Sequence, residues 1–368
     1  MFNIIKKNFK NFLKTLNIYF FFPIALKIKR FEFLNNYEGW LIYRLKNYYL
    51  SIHLRPKFSK DFKNENYILK NDSDFCVIIQ GPIKNIENFV KETILIYLKI
   101  FPNINIIIST WSINNEIINL EKKYKNIKVI INKVPNNENF GKYRNTDFQI
   151  LSTYNGIIAA KSLGAKYILK TRTDWRIYKN NTLNYLYSLL NQFPPNNKIQ
   201  QKRILVTSMT TCKYRIYGVT DTLQFGHIDD LLIYWNSKNY YESLKLMKID
   251  INKPIINDTP VISEIFLCSR YLNSLGHHLK WTLKDYWNFL KDYFCVIDAD
   301  SLDLIWNKYD DSIFEKRYYR SYATKSSRCI EFSDWISLIN NENIQWEQTN
   351  YKEKWVLEEG KLKQKQLF

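Results

Sequence analysis

Lys166-Tyr167-Ile168-Leu169-Lys170-Thr171-Arg172-Thr173-Asp174-Trp175 is the stretch on which the reading of this chain turns. A short apolar strand runs into a turn that carries one acid among three bases, Lys170, Arg172 and Arg176. Open α/β sheets place their ligand chemistry at the carboxyl ends of their strands. A carboxylate there, flanked by cations, suits a divalent metal or a phosphate-bearing substrate. The alternative for Asp174 is a helix cap, a position that Asp favours.

Upstream of this stretch, strand and helix patterns alternate. Phe75-Cys76-Val77-Ile78-Ile79-Gln80 reads as a buried strand ending at Gly81-Pro82, and 85–101 as a helix with Ile86, Val90, Ile94, Leu95 and Leu98 inward. A second strand is predicted over 105–109, a helix over 113–124 and a third strand over 128–132. A longer loop through Pro135 and Gly141 leads to a helix from about Gln149 to Leu163, with Gly164 as its stop. Strands of this length separated by helices mark a parallel α/β sheet with right-handed crossovers. Downstream the pattern loosens into a strand over 204–209, a helix from 228 to 235 and another from 263 to about 275. The chain thus reads as three regions: a basic segment at 1–60, an α/β domain at 74–280 and an aromatic-rich extension at 281–368.

Composition narrows the function classes. A chain of 368 residues with 46 % hydrophobic and 16 % aromatic content is not disordered. Its net charge of +19 is uneven. Residues 1–60 hold twelve Lys and Arg against two Glu, which puts +10 of that charge in a sixth of the chain. Ile5, Phe9, Phe12, Leu13 and Leu16 share one helical face, with Lys6, Lys7, Lys10 and Lys14 on the other. That is the pattern of an interfacial helix on anionic lipid; the competing reading packs it on its own domain. The apolar run 18–26 is too short to span a bilayer and is broken by Pro23. No nucleic-acid motif accompanies the charge, so no nucleic-acid partner is expected. Five scattered cysteines without a CxxC pair fit reduced thiols in a cytoplasmic protein and offer no zinc framework.

Further candidates stand where predicted strands end. Gly81 allows close backbone approach to a ligand, or simply ends a strand. Trp111, after Thr110, could stack on a base or sit in the core. Asn145, Gln149 and Ser152 fall near one face of a helix, which suits either a polar ligand or an N-terminal cap. There is no GxGxxG and no Walker lysine loop, so dinucleotide and P-loop readings lack support. Asp298-Ala299-Asp300, behind Phe294-Cys295-Val296-Ile297, could mimic the aspartyl-phosphate motif of a haloacid-dehalogenase-type, metal-dependent phosphatase, or form a surface turn.

The ordered series VIIQGPI at 77–83, IISTW at 107–111, QILSTYNG at 149–156 and LKTRTD at 169–174 resembles the WavE family of lipopolysaccharide-synthesis proteins. FGHIDDL at 225–231 and SEIFL at 263–267 resemble its later segments. Two departures stand out. Phe148 precedes Gln149 where the family has Asn-Arg-Gln, and "RTD" lacks the first acid of a full DxD. The resemblance implies a GT-A-like, Rossmann-type α/β sheet with flanking helices, and a glycosyltransferase acting in lipopolysaccharide or capsule synthesis. It implies that Gln80, Gly81, Pro82, Thr110 and Trp111 hold a nucleotide-sugar donor, with Arg144, Asn145, Gln149, Ser152, Lys170 and Arg172 contacting base, ribose or diphosphate. Asp174 would bind Mn²⁺ or Mg²⁺. Asp229 or Glu264 would be the catalytic base for a lipid-linked or oligosaccharide acceptor, with the enzyme peripheral to the cytoplasmic leaflet of the inner membrane.

Overall fold

The computed structural model describes residues 55–64, 72–84, 88–136, 145–213, 215–236, 263–307 and 329–340. The chain divides into two units, Met1–Pro56 and Lys57–Phe368, and the second holds the sheet and the cavity. The basic helical pattern at 5–16 and Arg144 lie outside the described residues.

A seven-stranded sheet forms the centre, in the order β3-β2-β1-β4-β7-β6-β8. Its members are β1 (Phe75–Gln80), β2 (Asn105–Thr110), β3 (Ile127–Ile131), β4 (Tyr167–Arg172), β6 (Ile204–Thr207), β7 (Gln224–His227) and β8 (Phe294–Ile297). A two-stranded ribbon pairs β5 (Trp175–Ile177) with β9 (Leu304–Trp306). The expected α/β sheet with flanking helices is what the chain builds. β1 is buried along its whole length, as its unbroken apolar run requires of a parallel strand covered on both faces.

The helices flank this sheet. α1 (Phe89–Ile100) and α2 (Asn115–Lys123) carry the crossovers on the β1–β3 side. Asn114 caps α2 by accepting from Ile117 N at 3.2 Å, and Lys122 and Lys123 close its last turn. α3 (Thr146–Ser162) ends as expected at Gly164, whose φ is +83°. Gly164 N donates to Lys161 O and Ala165 N to Ala160 O, a Schellman stop. α3 lies close on β1 and β2 because Gly156 has no side chain. A Cβ there would come within 2.8 Å of Ile78 Cγ2. α4 (Thr182–Gln192) follows β5 and buries Leu183, Leu186 and Leu190.

β1 pairs in parallel with β2 on one side and β4 on the other. The chain therefore steps outward through β2 and β3, then returns to the opposite side of β1. That reversal opens a crevice above the carboxyl ends of β1 and β4. β7 runs antiparallel to β4, with Tyr167 opposite His227. The loop before β7 thus reaches the crevice, whereas the helix after it, α5 (Ile228–Tyr234), starts at the other end of the sheet. α6 (Ser263–Ser274), α7 (Leu283–Tyr293) and α8 (Phe332–Asn340) complete the described helices. Residues after 280, read from sequence as an extension, supply α7 and β8, and β8 pairs in parallel with β6 within the central sheet.

Candidate active site

A cavity of about 430 Å³ occupies that crevice. The end of β1 contributes Gln80, Gly81 and Pro82, and the end of β2 contributes Trp111. The start of α3 adds Asn145, Phe148 and Gln149, and the end of β4 adds Arg172, Thr173 and Asp174. Lys84, Phe89, Val90 and Asn307 complete the wall.

The turn after β1 is shaped for close approach. Gly81 adopts φ +129°, and a Cβ on it would meet Thr173 Oγ1 at 2.8 Å. Thr173 Oγ1 donates to Pro82 O at 2.9 Å and Thr173 N to Gln80 O at 3.0 Å. These contacts tie the β1 turn to the β4 turn, so the two sides of the crevice are held together.

Below the floor runs a buried polar network. Gln80 Nε2 donates to Ser152 Oγ at 2.9 Å, and Ser152 Oγ donates to Phe148 O at 2.6 Å. Ser109 Oγ donates to Ser152 O, Asn132 Nδ2 to Ser109 Oγ, and Asn155 Nδ2 to Asn132 Oδ1. Ser152 is therefore a strut that fixes the Gln80 amide and does not line the cavity. Thr110 is likewise fully buried and off the wall. Trp111 does face the cavity, edge to face with Phe148 at 4.9 Å.

Lys170 and Arg172, two residues apart on β4, have different surroundings. Lys170 is fully buried. Its Nζ donates to the main-chain carbonyl of Asp221 and reaches that of Thr222 at 3.5 Å, with the Trp235 ring 4.5 Å away. Burial pushes this ammonium down to about 7, with Asp221 and Asp174 pulling the other way. It anchors the loop before β7 and makes no wall of the cavity.

Arg172 does form part of the wall. Its Nε donates to Asp174 Oδ1 at 2.8 Å and its Nη2 to Asp174 Oδ2 at 2.9 Å, a bidentate fork. Burial opposes its charge, but Asp174, Asp221 and Glu264 outweigh burial and hold the guanidinium above its ordinary value. Trp306 Nε1 also donates to Asp174 Oδ2, at 3.0 Å, and Asn307 N donates to Asp174 O at 2.8 Å. The Mn²⁺ or Mg²⁺ expected at Asp174 would have to share this carboxylate with the guanidinium and stand beside its positive charge. Among the described residues no three His, Cys, Asp or Glu gather as a ligand set.

The two candidate bases lie at opposite ends of the sheet. Asp229, in the first turn of α5, follows the far end of β7 and pairs with Lys161 at 3.0 Å in solvent. β4 separates it from Asp174 by roughly 20 Å, at about 3.3 Å per strand residue. The order of motifs along the chain hides this, because it does not show that β7 reverses direction. Asp230 accepts from Gln201 N and Lys202 N, a structural role.

Glu264 does not line the cavity but lies at the same end of the sheet. It opens α6, whose first residue, Ser263, meets Thr146 at the start of α3, Oγ to Oγ1 at 2.6 Å. Burial raises the Glu264 carboxyl, and nearby Asp221 raises it further, while Arg215 and Arg172 oppose them. Asp221 escapes the sequence reading. It is 3 % exposed, and its carbonyl takes both Lys170 and, at 3.4 Å, Gln149 Nε2. Asp298, at the end of edge strand β8, accepts from Phe332 N through Oδ1 at 3.1 Å, which makes the Asp298–Asp300 segment a structural turn.

Fold and cavity together define an α/β protein with a cavity at the switch point of a mostly parallel sheet. The chain belongs to the WavE lipopolysaccharide synthesis family, which matches residues 75–360. Among solved structures it is similar to residues 1–349 of S. aureus TarS, at 13 % identity and TM-score 0.30 over 54 % of this chain and 56 % of that one. The chain thus spans just over half of the TarS structure. A glycosyltransferase involved in glycosylation of the major capsid of PBCV-1 matches at 14 % identity and TM-score 0.26, over 46 % and 68 % of the two chains. A cytidylyltransferase from Leptospira borgpetersenii serovar Hardjo-bovis matches at 14 % and TM-score 0.34, over 76 % and 99 %. No curated protein matches the chain.

Proposed function

We propose that this protein is a glycosyltransferase that moves a sugar from a nucleotide-sugar donor to a lipid-linked or oligosaccharide acceptor in lipopolysaccharide or capsule synthesis. The observation that carries this reading is the convergence in one crevice of Gly81, Trp111, Gln149 and Arg172, from four separate elements. Trp111 and Phe148 offer aromatic surface to the base. Asn145 and Gln149 offer amides to the ribose, and Arg172 faces the diphosphate.

Glu264 is the proposed base. An acceptor hydroxyl bonds through its oxygen to the anomeric carbon and gives its proton to Glu264. The bond from that carbon to the phosphate oxygen breaks, and the nucleoside diphosphate leaves with the electron pair. Burial raises the Glu264 carboxyl, which makes its ionised form a stronger proton acceptor. The basic pattern at 1–60 supports placement on the anionic inner leaflet, where lipid-linked acceptors lie. Among the described residues no helix is long and apolar enough to cross a membrane.

The test is a thermal-shift panel of UDP-, GDP-, CMP- and dTDP-sugars on the full chain. Ligands that bind only the folded state raise Tm. The expected result is a shift for one nucleotide class that is lost in Gly81→Val. No shift with any of them overturns the reading.

A further inference from the structure

Resting on that donor-site reading, we propose that the site binds the diphosphate without a divalent metal, the Arg172 guanidinium standing where a cation would. The Arg172–Asp174 pair is built as a finished unit. Both carboxylate oxygens are committed to Nε and Nη2, and Trp306 Nε1 adds a third bond from β9. The Asp174 main chain is fixed by Asn307 N. A metal at Asp174 would have to share the carboxylate with Arg172 and stand beside its charge.

The same arrangement prepares Arg172 for an anion. A guanidinium has five N–H donors in a rigid fork. Asp174 takes only Nε and one Nη2 hydrogen, which leaves the other edge of the fork at the cavity wall. That edge matches paired phosphate oxygens. The Trp306 ring, 6.0 Å from the guanidinium carbon, flanks it. Lys84, exposed at the rim beyond Pro82, brings a second positive charge to the same cavity. Two cationic side chains therefore face the position where the leaving diphosphate gathers charge, which is where transition-state stabilisation is needed.

The experiment is isothermal titration calorimetry of the full chain with UDP, GDP, CDP and dTDP, first in EDTA and then with Mn²⁺. The expected result is that one of these diphosphates binds in both conditions, with Kd changing less than about threefold, well under the factor of ten that marks a real contact. Arg172→Gln weakens that binding at least about tenfold in both, as loss of a charged hydrogen-bond donor does. Arg172→Lys keeps the charge without the fork and falls between; it serves as the measurement if Arg172→Gln shows no cooperative melting. Binding that requires Mn²⁺ overturns the inference and leaves the donor site standing. Binding in EDTA that ignores both substitutions also overturns it. No binding in either condition overturns the donor-site reading, and the inference with it.

Discussion

The two ends of β4 use the same kinds of residue to different effect. At its start, Lys166 pairs with the half-buried Asp74 at 3.1 Å and Lys161 with the exposed Asp229 at 3.0 Å, both through lysines in solvent. At its end, Arg172 pairs with Asp174 at 2.8 Å inside a crevice, with donors to spare and aromatic rings alongside. Exposed pairs contribute little and are screened by salt. Charges in a concavity act on whatever enters it. Acid–base density alone therefore does not mark a site. Strand direction does, because it decides which acids reach the carboxyl edge of the sheet.

This contrast can be broken experimentally, and the cavity end gives the largest effects. Arg172→Ala is expected to weaken nucleotide binding by about tenfold to a hundredfold, from the value of a charged hydrogen bond. Calorimetry reads this directly. Gly81→Val forces a β-branched residue into φ +129° against Thr173. It is expected to cost about 1–3 kcal/mol, seen as a fall in Tm of roughly 2–4 °C per kcal/mol together with loss of ligand-induced shifts.

Lys170 gives a pH signature. Its folded-state value of about 7 lies below the roughly 10.4 of an unfolded chain. Between these values the unfolded chain holds the proton more often, so this group makes stability rise with pH above about 7. In Lys170→Met that contribution is gone, and urea denaturation should show the wild type gaining on the variant from about pH 7 to 9. A constant gap would contradict the burial argument. At the other end of the strand, Asp229→Asn should cost less than about 1 kcal/mol and leave nucleotide binding unchanged.

The sheet's first half is legible in the sequence because its strands are unbroken apolar runs. Phe75–Gln80 matches its predicted bounds, and Gly164 stops α3 as its lack of a Cβ allows. β7 is not legible, since Gln224, Gly226 and His227 give no apolar run. Pairing on both sides makes it a strand. The polar face of α3 shows in the residue spacing, but its division of labour does not. Asn145 and Gln149 reach the cavity, whereas Ser152 turns into the network under Gln80. Trp306 is invisible to sequence reading because its bond to Asp174 spans 132 positions, and no local pattern reports a contact of that range.

We place the chemistry at the carboxyl end of β4 and not at its start. Sugar transfer from the nucleotide sugar that gives the largest thermal shift tests it, with Glu264→Gln and Asp229→Asn run beside the wild type. Glu264→Gln is expected to lose at least about a hundredfold in kcat, the low end for a general base, with nucleotide binding retained, while Asp229→Asn turns over like the wild type. Full activity in Glu264→Gln with loss in Asp229→Asn would contradict it.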